Sequence, residues 1–425
     1  MTVFVFIGSL LGSMSLGMPI AFALLVCGIA LMIFMGNLEA QILAQKLIDG
    51  ADSYPLMTIP FFLLAGELMN AGGLSRRIVA AAMSLFGHMR GGLGYVVIGT
   101  GLLLASLSGS AIADTATLAV MLLPLMRQAG YNIGRSSGLI AATGIIAPVI
   151  PPSVGFVLFG VTANLSITKL FMAGIVPGLL MALSLVVAWW WMSRSESFDL
   201  PEKKSGAEIR RALGDAVWAI VLPIFIIAGL RFGIFTPTEA GVMAAVYALL
   251  VSVLVYRELS LEGLYEAVLN AAKTSAVIML LVAASAVPAW LITVANVPQQ
   301  IIALLEPFME SPVLLMFVMV MFIIAIGMAL DFTPSILILT PVLMPVVHAA
   351  GIDPIYFGVM FIMTAAVGLL TPPVGAVLNT VCGVARIPME SAVKGVLPFL
   401  IAEVLVLLLL VLFPSLVTVP ASWFY

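Results

Sequence analysis

Two stretches of this chain gather hydroxyls, carboxylates, glycines and prolines inside otherwise apolar sequence. One is 106-SLSGSAIADT-115 with 143-TGIIAPVIPPSVG-155; the other is 327-GMALDFTPSILILTP-341 with 364-TAAVGLLTPPVG-375. In lipid a bare backbone amide or carbonyl costs several kcal/mol, so chain that leaves the helix there must line a cavity or hold a ligand. The oxygens suit a hard cation such as Na⁺. The first cluster offers Ser106, Ser108 and Ser110, with carbonyls around Gly144, Ala147 and Pro148; the second offers Asp331, Thr333 and Thr371, with carbonyls around Gly327 and Gly368. A helix ending inside the membrane exposes carbonyls that coordinate sodium, and a helix starting there presents N–H groups and a positive dipole that favour an anion. Glycines allow close approach, and prolines at 148, 151, 152, 372 and 373 remove donors. Asp114 and Asp331 read as the two deepest acids. Asp331 opens the second half-helix, with Pro334 suited to its first turn, and Asp114 lies one turn into the matching one. Capping alone and a place in or near a cation site are both open for these acids.

The elements that hold these clusters must be membrane helices. The 425 residues are 63% hydrophobic and 9% charged, where a soluble protein carries about 25% charged residues. Apolar runs near span length recur throughout, whereas a transmembrane barrel would show alternating segments of about 10 residues. A net charge of -3 without a basic patch excludes nucleic acid as a partner. Cys27 and Cys382 read as buried small hydrophobes, His88 and His348 have no metal-binding context, and 1-MTVFVFIGSLLG reads as a retained membrane segment.

Helical hairpins are expected over 92–127 and 312–348, entering and leaving on one side, because each arm has about 15 residues where some 20 are needed to cross. Broken helices are expected over 135–165 and 354–382, and amphipathic interfacial arm helices over 38–54 and 258–273. The polar stretch 193–215 carries Arg194, Lys203, Lys204, Arg210 and Arg211, five of the 17 basic residues, which makes it cytoplasmic. It divides a first repeat, 1–193, from a second, 212–425, with 194–211 as linker. Pro151-Pro152 and Pro372-Pro373 are 221 residues apart; the same shift pairs Thr143 with Thr364, Pro124 with Pro345, and Ser110 with Asp331. Matched breaks in two halves point to a secondary transporter's binding site.

The chain resembles the large membrane subunit of the TRAP (tripartite ATP-independent periplasmic) transporters. The resemblance rests on 60-PFFLLAGELMNAGGLSRRI-78, 106-SLSGSAIADTA-116, 144-GIIAPVIPPS-153, 235-FTPTEAG-241, 331-DFTPSILILTPVLMP-345 and 370-LTPPVG-375, and covers essentially the whole chain. It implies an all-α polytopic fold of two inverted repeats with re-entrant hairpins, divided into scaffold and transport domain. It implies sodium-driven elevator uptake of an organic acid: a C4-dicarboxylate, sialic acid, sugar acid or keto acid. The implied partners are a small four-helix membrane subunit and a periplasmic substrate-binding protein, and the implied location is the bacterial inner membrane. Carried onto this sequence, the hairpin tips are Ser108-Gly109-Ser110 and Asp331 to Pro334, and the unwound partners are Gly144 to Pro152 and Gly368 to Pro373. The positions expected to face substrate are Ser108, Gly109, Ser110, Pro152, Thr333 and Pro373.

Other classes fit less well. An intramembrane aspartyl protease would need a GxGD form that 109-GSAIAD-114 and 328-MALD-331 lack, and no Walker P-loop is present, so no enzyme is expected. A stand-alone sodium- or proton-coupled anion symporter of related architecture is the nearer rival. A channel fits poorly with paired hairpins on a duplicated frame.

Overall fold

A computed structural model describes residues 1–36, 38–194 and 203–423. Residues 195–202 of the expected linker, 194–211, lie outside the described residues. The first half runs α1 (Thr2–Ser15), α2 (Ile20–Phe34), α3 (Ala40–Ala51), α4 (Thr58–Ala71), α5 (Leu74–Phe86), α6 (Gly92–Ser108), α7 (Ala111–Gln128), α8 (Ile133–Gly144), α9 (Val154–Thr162) and α10 (Ile167–Ser193). The second runs α11 (Gly206–Arg231), α12 (Pro237–Leu250), α13 (Leu261–Val294), α14 (Val297–Met309), α15 (Pro312–Gly327), α16 (Phe332–Ala349), α17 (Pro354–Leu370), α18 (Ala376–Ala385), α19 (Met389–Leu412) and α20 (Ser415–Ser422). Six of the described helices are long and apolar enough to cross a bilayer. This is an all-α, multi-pass membrane protein.

Helix borders recur with the shift of 221 residues: α7 shifted by that amount takes the bounds of α16. The local causes recur with it. Asn132 caps α8 by accepting from Arg135 N at 3.0 Å, and Asp353 caps α17 by accepting from Tyr356 N at 2.7 Å. Pro124 and Pro177 lie inside α7 and α10 where Pro345 and Pro398 lie inside α16 and α19.

The arms break the pattern. α3 is a separate helix, parted from α4 by Asp52 and Ser53 and a 3₁₀ turn over Tyr54–Met57. The arm expected over 258–273 starts at Leu261 and continues without a break to Val294. Pro55 cannot donate a helix hydrogen bond, whereas its counterpart, Ala276, continues the helix.

α13 lies against α2, α3, α4 and α16, and α12 against α4. In the first hairpin, α6–α7, α7 lies against α8 of its own half and α18 of the other; in the second, α15–α16, α16 lies against α17 of its own half and α9 of the other.

Candidate functional site

Both expected breaks are present. α6 ends at Ser108, Gly109 takes a left-handed φ of 61°, and Ser110 caps α7 by accepting from Ala113 N at 3.4 Å. Gly109 is required twice over. Its positive φ disfavours any side chain, and an added Cβ would stand 2.8 Å from Pro152 O and 3.0 Å from Ser153 Cα. The tip is thus pressed against the unwound chain between α8 and α9.

That unwound segment covers 145–153. Tight turns hold it: Ile146 N donates to Thr143 O at 3.2 Å, Ala147 N to Gly144 O at 3.2 Å, and Val149 N to Ile146 O at 2.9 Å. Ser153 is fully buried; its hydroxyl donates to Pro148 O and its oxygen accepts from Phe156 N at 3.3 Å, capping α9. Gly144, Ala147, Pro148 and Pro152 are all buried, and the Pro151-Pro152 peptide is cis, as is Pro372-Pro373.

The second tip reaches the same place from the other half. Asp331 caps α16, its Oδ1 accepting from Phe332 N at 2.8 Å. An added Cβ on Gly155 would lie 2.7 Å from the Phe332 ring. The starts of α7, α9 and α16 therefore converge on residues 152–155: Gly109 bears on Pro152 and Ser153, and Phe332 bears on Gly155. Three helix N-termini carry orphan N–H groups and positive partial charge there.

Oxygens without partners collect beside the first tip. Ser108 Oγ donates to Asp114 Oδ1 and accepts from Ser110 N at 3.1 Å. Asp114 Oδ2, Thr115 Oγ1 and Thr143 Oγ1 are buried and unpaired. Thr115 Oγ1 sits directly on Gly144, 1.7 Å from where a Cβ would be. Ser106 Oγ donates to Leu103 O at 2.6 Å, leaving its lone pairs. Such a set of hydroxyls, carbonyls and one carboxylate suits a hard monovalent cation. Among the described residues, no group of three His, Cys, Asp or Glu could hold a metal ion.

The second cluster differs. Asp331 is exposed, which corrects its placing as one of the two deepest acids: it stands at the tip, while Asp114 sits inside packed helices at 4% exposure. Thr333 is half-buried, and Thr371 Oγ1 donates to Val367 O at 2.8 Å. Gly327 and Gly368 pack Cα against Cα; a Cβ on Gly368 would lie 2.9 Å from Gly327 Cα. Gly368 stays inside α17, whose cap is Thr371, so the unwound chain is shorter than expected and covers 371–375. Pro373 is exposed.

Three polar side chains escape the sequence argument. Thr115 and Thr143 lie in the quoted stretches, but a threonine in a helix ordinarily bonds its own backbone. Glu403 in α19 is the deepest acid, fully buried with both carboxylate oxygens unpaired. Its position in an apolar run was the available signal.

The family model for the tripartite ATP-independent periplasmic transporter, DctM component, matches residues 7–416. The chain belongs to this family. A TRAP transporter large permease protein of Haemophilus influenzae is 52% identical over 423 residues, covering 100% of both chains. The 2,3-diketo-L-gulonate TRAP transporter large permease protein YiaN of Escherichia coli is 51% identical over 423 residues, again covering 100% of both. The solved YdaH transporter of Alcanivorax borkumensis superposes with a TM-score of 0.64 at 15% identity, over 88% of this chain and 89% of that one; it bears on the fold alone. The chain is thus a transport protein rather than an enzyme.

Proposed function

We propose that this chain carries an organic-acid anion inward across the bacterial inner membrane, coupled to sodium. The observation that carries the proposal is the meeting of three half-helix N-termini at residues 152–155, beside the unpaired oxygens of Asp114, Thr115 and Thr143. The first feature suits a carboxylate and the second a cation. Ser108, Gly109, Ser110 and Pro152 from one half, with Thr333 and Pro373 from the other, border the anion's place. Ser106, Ser108, Ser110, Asp114, Thr115 and the Gly144–Pro148 carbonyls hold one sodium; Asp331, Thr333 and Thr371 with the Gly327 and Gly368 carbonyls form the second cation place.

The relative that matches end to end at 51% identity is named for 2,3-diketo-L-gulonate, which favours a sugar acid or keto acid over the other organic acids. The halves 1–193 and 212–425 are inverted repeats joined by a cytoplasmic linker at 194–211. The hairpins with α8–α10 and α17–α19 form the body that moves, as an elevator, against a scaffold of α1–α4 and α11–α13. A periplasmic binding protein delivers the substrate, and a small four-helix subunit completes the membrane part.

The test is uptake into liposomes holding the large and small subunits, with binding protein outside and a panel of labelled sugar and keto acids. Uptake should require both an inward sodium gradient and the binding protein. Full-rate uptake without a gradient would overturn the coupling, and full-rate uptake of free substrate would overturn delivery by a binding protein.

A further inference from the structure

α10 and α19 run antiparallel, with the Trp189 and Phe399 rings stacked at 6.3 Å. On the outer side of that contact a groove of about 790 Å³ runs between them, within the range of about 300–1,000 Å³ usual for ligand pockets. Its walls are Leu183, Val187 and Trp191 from α10 and Ile401, Leu405 and Leu409 from α19, all exposed to the surroundings. Among the described residues, Ser184 is the one polar residue lining it. A buried acid, Glu403, lies on α19 between groove-lining residues 402 and 405 but does not line it.

The groove's length and ends say what fits it. From Leu180 to Trp191 it extends along eleven helical steps, about 16 Å at ~1.5 Å per residue. That is one leaflet of a hydrocarbon core ~30 Å thick, whereas a partner's transmembrane helix would need the full depth. One end closes in apolar residues, Leu180 and Leu409. The other reaches exposed Trp190 and Trp191, residues typical of a membrane–water interface. One turn on, the Arg194 guanidinium lies 3.4 Å over the Trp190 ring, and Arg90 Nη2 donates to Arg194 O at 2.7 Å. Among the described residues no carboxylate pairs with Arg194.

We propose that this groove binds one acyl chain of an anionic phospholipid, whose headgroup phosphate sits against Arg194. The chain takes its place on apolar burial, and Arg194 selects the headgroup. The site is on the outside of the α10–α19 pair and independent of the transported anion, so its test does not depend on transport.

The full-length chain, delipidated in mild detergent, is offered phosphatidylglycerol or phosphatidylcholine, and retained lipid is read by native mass spectrometry. The wild type should retain phosphatidylglycerol about fivefold better, the effect of one Arg near an anionic group. Arg194→Gln should bring the two lipids to parity. Leu405→Trp, a change at an exposed position, should fill the groove and cut retention of both lipids about fivefold while thermal unfolding stays unchanged. Equal retention of the two lipids by the wild type would overturn the proposal, as would undiminished phosphatidylglycerol binding by Leu405→Trp. So would a photocrosslinker at 405 that captures a helix of the small subunit, in co-expressing membranes, instead of lipid.

Discussion

The tip at Ser108–Ser110 and the tip ending at Asp331 occupy the same place in the two halves, yet they are built for different work. At the first, the acid lies one turn inside α7, buried, one oxygen held by Ser108 and the other unpaired. At the second, the acid has moved out to the cap position, exposed, with its Oδ1 on Phe332 N. The unwound partner is nine residues and buried in the first half, 145–153, but five residues and largely open in the second, 371–375. Where the first half has Ser106 and Ala147, the second has Gly327 and Gly368, packed backbone to backbone. One frame thus carries a buried, oxygen-rich cluster on one side and a tight glycine contact beneath an accessible tip on the other.

The largest way to break the contrast is at the tips themselves. Gly109→Ala should be severe. A left-handed alanine costs ~1–2 kcal/mol, and its methyl would press on the Pro152 carbonyl for another ~1–3 kcal/mol. The counterpart of Gly109 is Leu330, half-buried and without a positive φ, so Leu330→Ala should lower the unfolding temperature far less. Thermal unfolding in detergent checks both; equal shifts would mean that the first tip is not the tighter one.

The next effect separates the two acids by sodium dependence. A unit charge about 4 Å from a cation is worth ~4 kcal/mol at an effective dielectric of ~20. Asp114→Asn should therefore raise the sodium concentration for half-maximal uptake by about tenfold or more. Asp331→Asn, at an exposed cap, should raise it about threefold or less, since solvent screens an exposed charge. The reverse order would move the stronger cation site to the second half.

These differences also mark how far the sequence is legible. Interruption of helix at membrane depth is readable, because Pro148, Pro151-Pro152 and Pro372-Pro373 withdraw helix donors and Gly109 permits a left-handed turn, although the partners of Gly109 and Pro148 are Leu330 and Leu369. The pairing of halves is readable because caps and prolines recur in register. Burial is not: Ser110 and Asp331 share a register position, and only the packing of α8 and α18 against α7 decides that Asp114 is enclosed. The same holds for Thr115, whose hydroxyl is stranded because Gly144 lies against it. The unequal arms were written in Pro55 and Ala276, but the shared amphipathic pattern hid them. Glu403 was legible as an acid in an apolar run and belongs to neither repeat-matched cluster.

A smaller effect tests whether the stranded hydroxyl is a ligand. An unpaired buried hydroxyl costs ~1–3 kcal/mol, so Thr115→Val should stabilise the sodium-free protein by about 1 kcal/mol. If Thr115 binds sodium, the variant should also lose most of the rise in unfolding temperature that added sodium gives the wild type. A full sodium-induced rise in the variant would remove Thr115 from the site and leave Asp114 with the backbone carbonyls. Thr371→Val, at the second cluster, has no such gain to offer, because that hydroxyl already donates to Val367 O.

The smallest effect lies where the halves are tied together. Arg76 and Arg77, at the start of α5, reach Glu258 just before α13, at 2.8 Å and 2.6 Å. Shifted by 221, the two arginines become Val297 and Pro298, so the tie is made from one half only. The Arg77 hydrogen bond comes first among the causes that hold the Glu258 carboxyl below its usual value near 4.5. A carboxylate with a depressed folded value stabilises the protein above its unfolded value and loses that contribution as pH falls through the folded one. Glu258→Gln should therefore lower stability by roughly 0.2–1 kcal/mol at pH 7, the scale of an exposed pair. The difference from wild type should shrink below about pH 4.5 and shrink in high salt. Unfolding temperatures of the two proteins at pH 7 and at about pH 2, where the carboxyl is protonated in both states, each at low and high ionic strength, decide it. A deficit that persists at the acid end would mean that Glu258 acts through packing, not charge, and that the one-sided tie contributes nothing electrostatic.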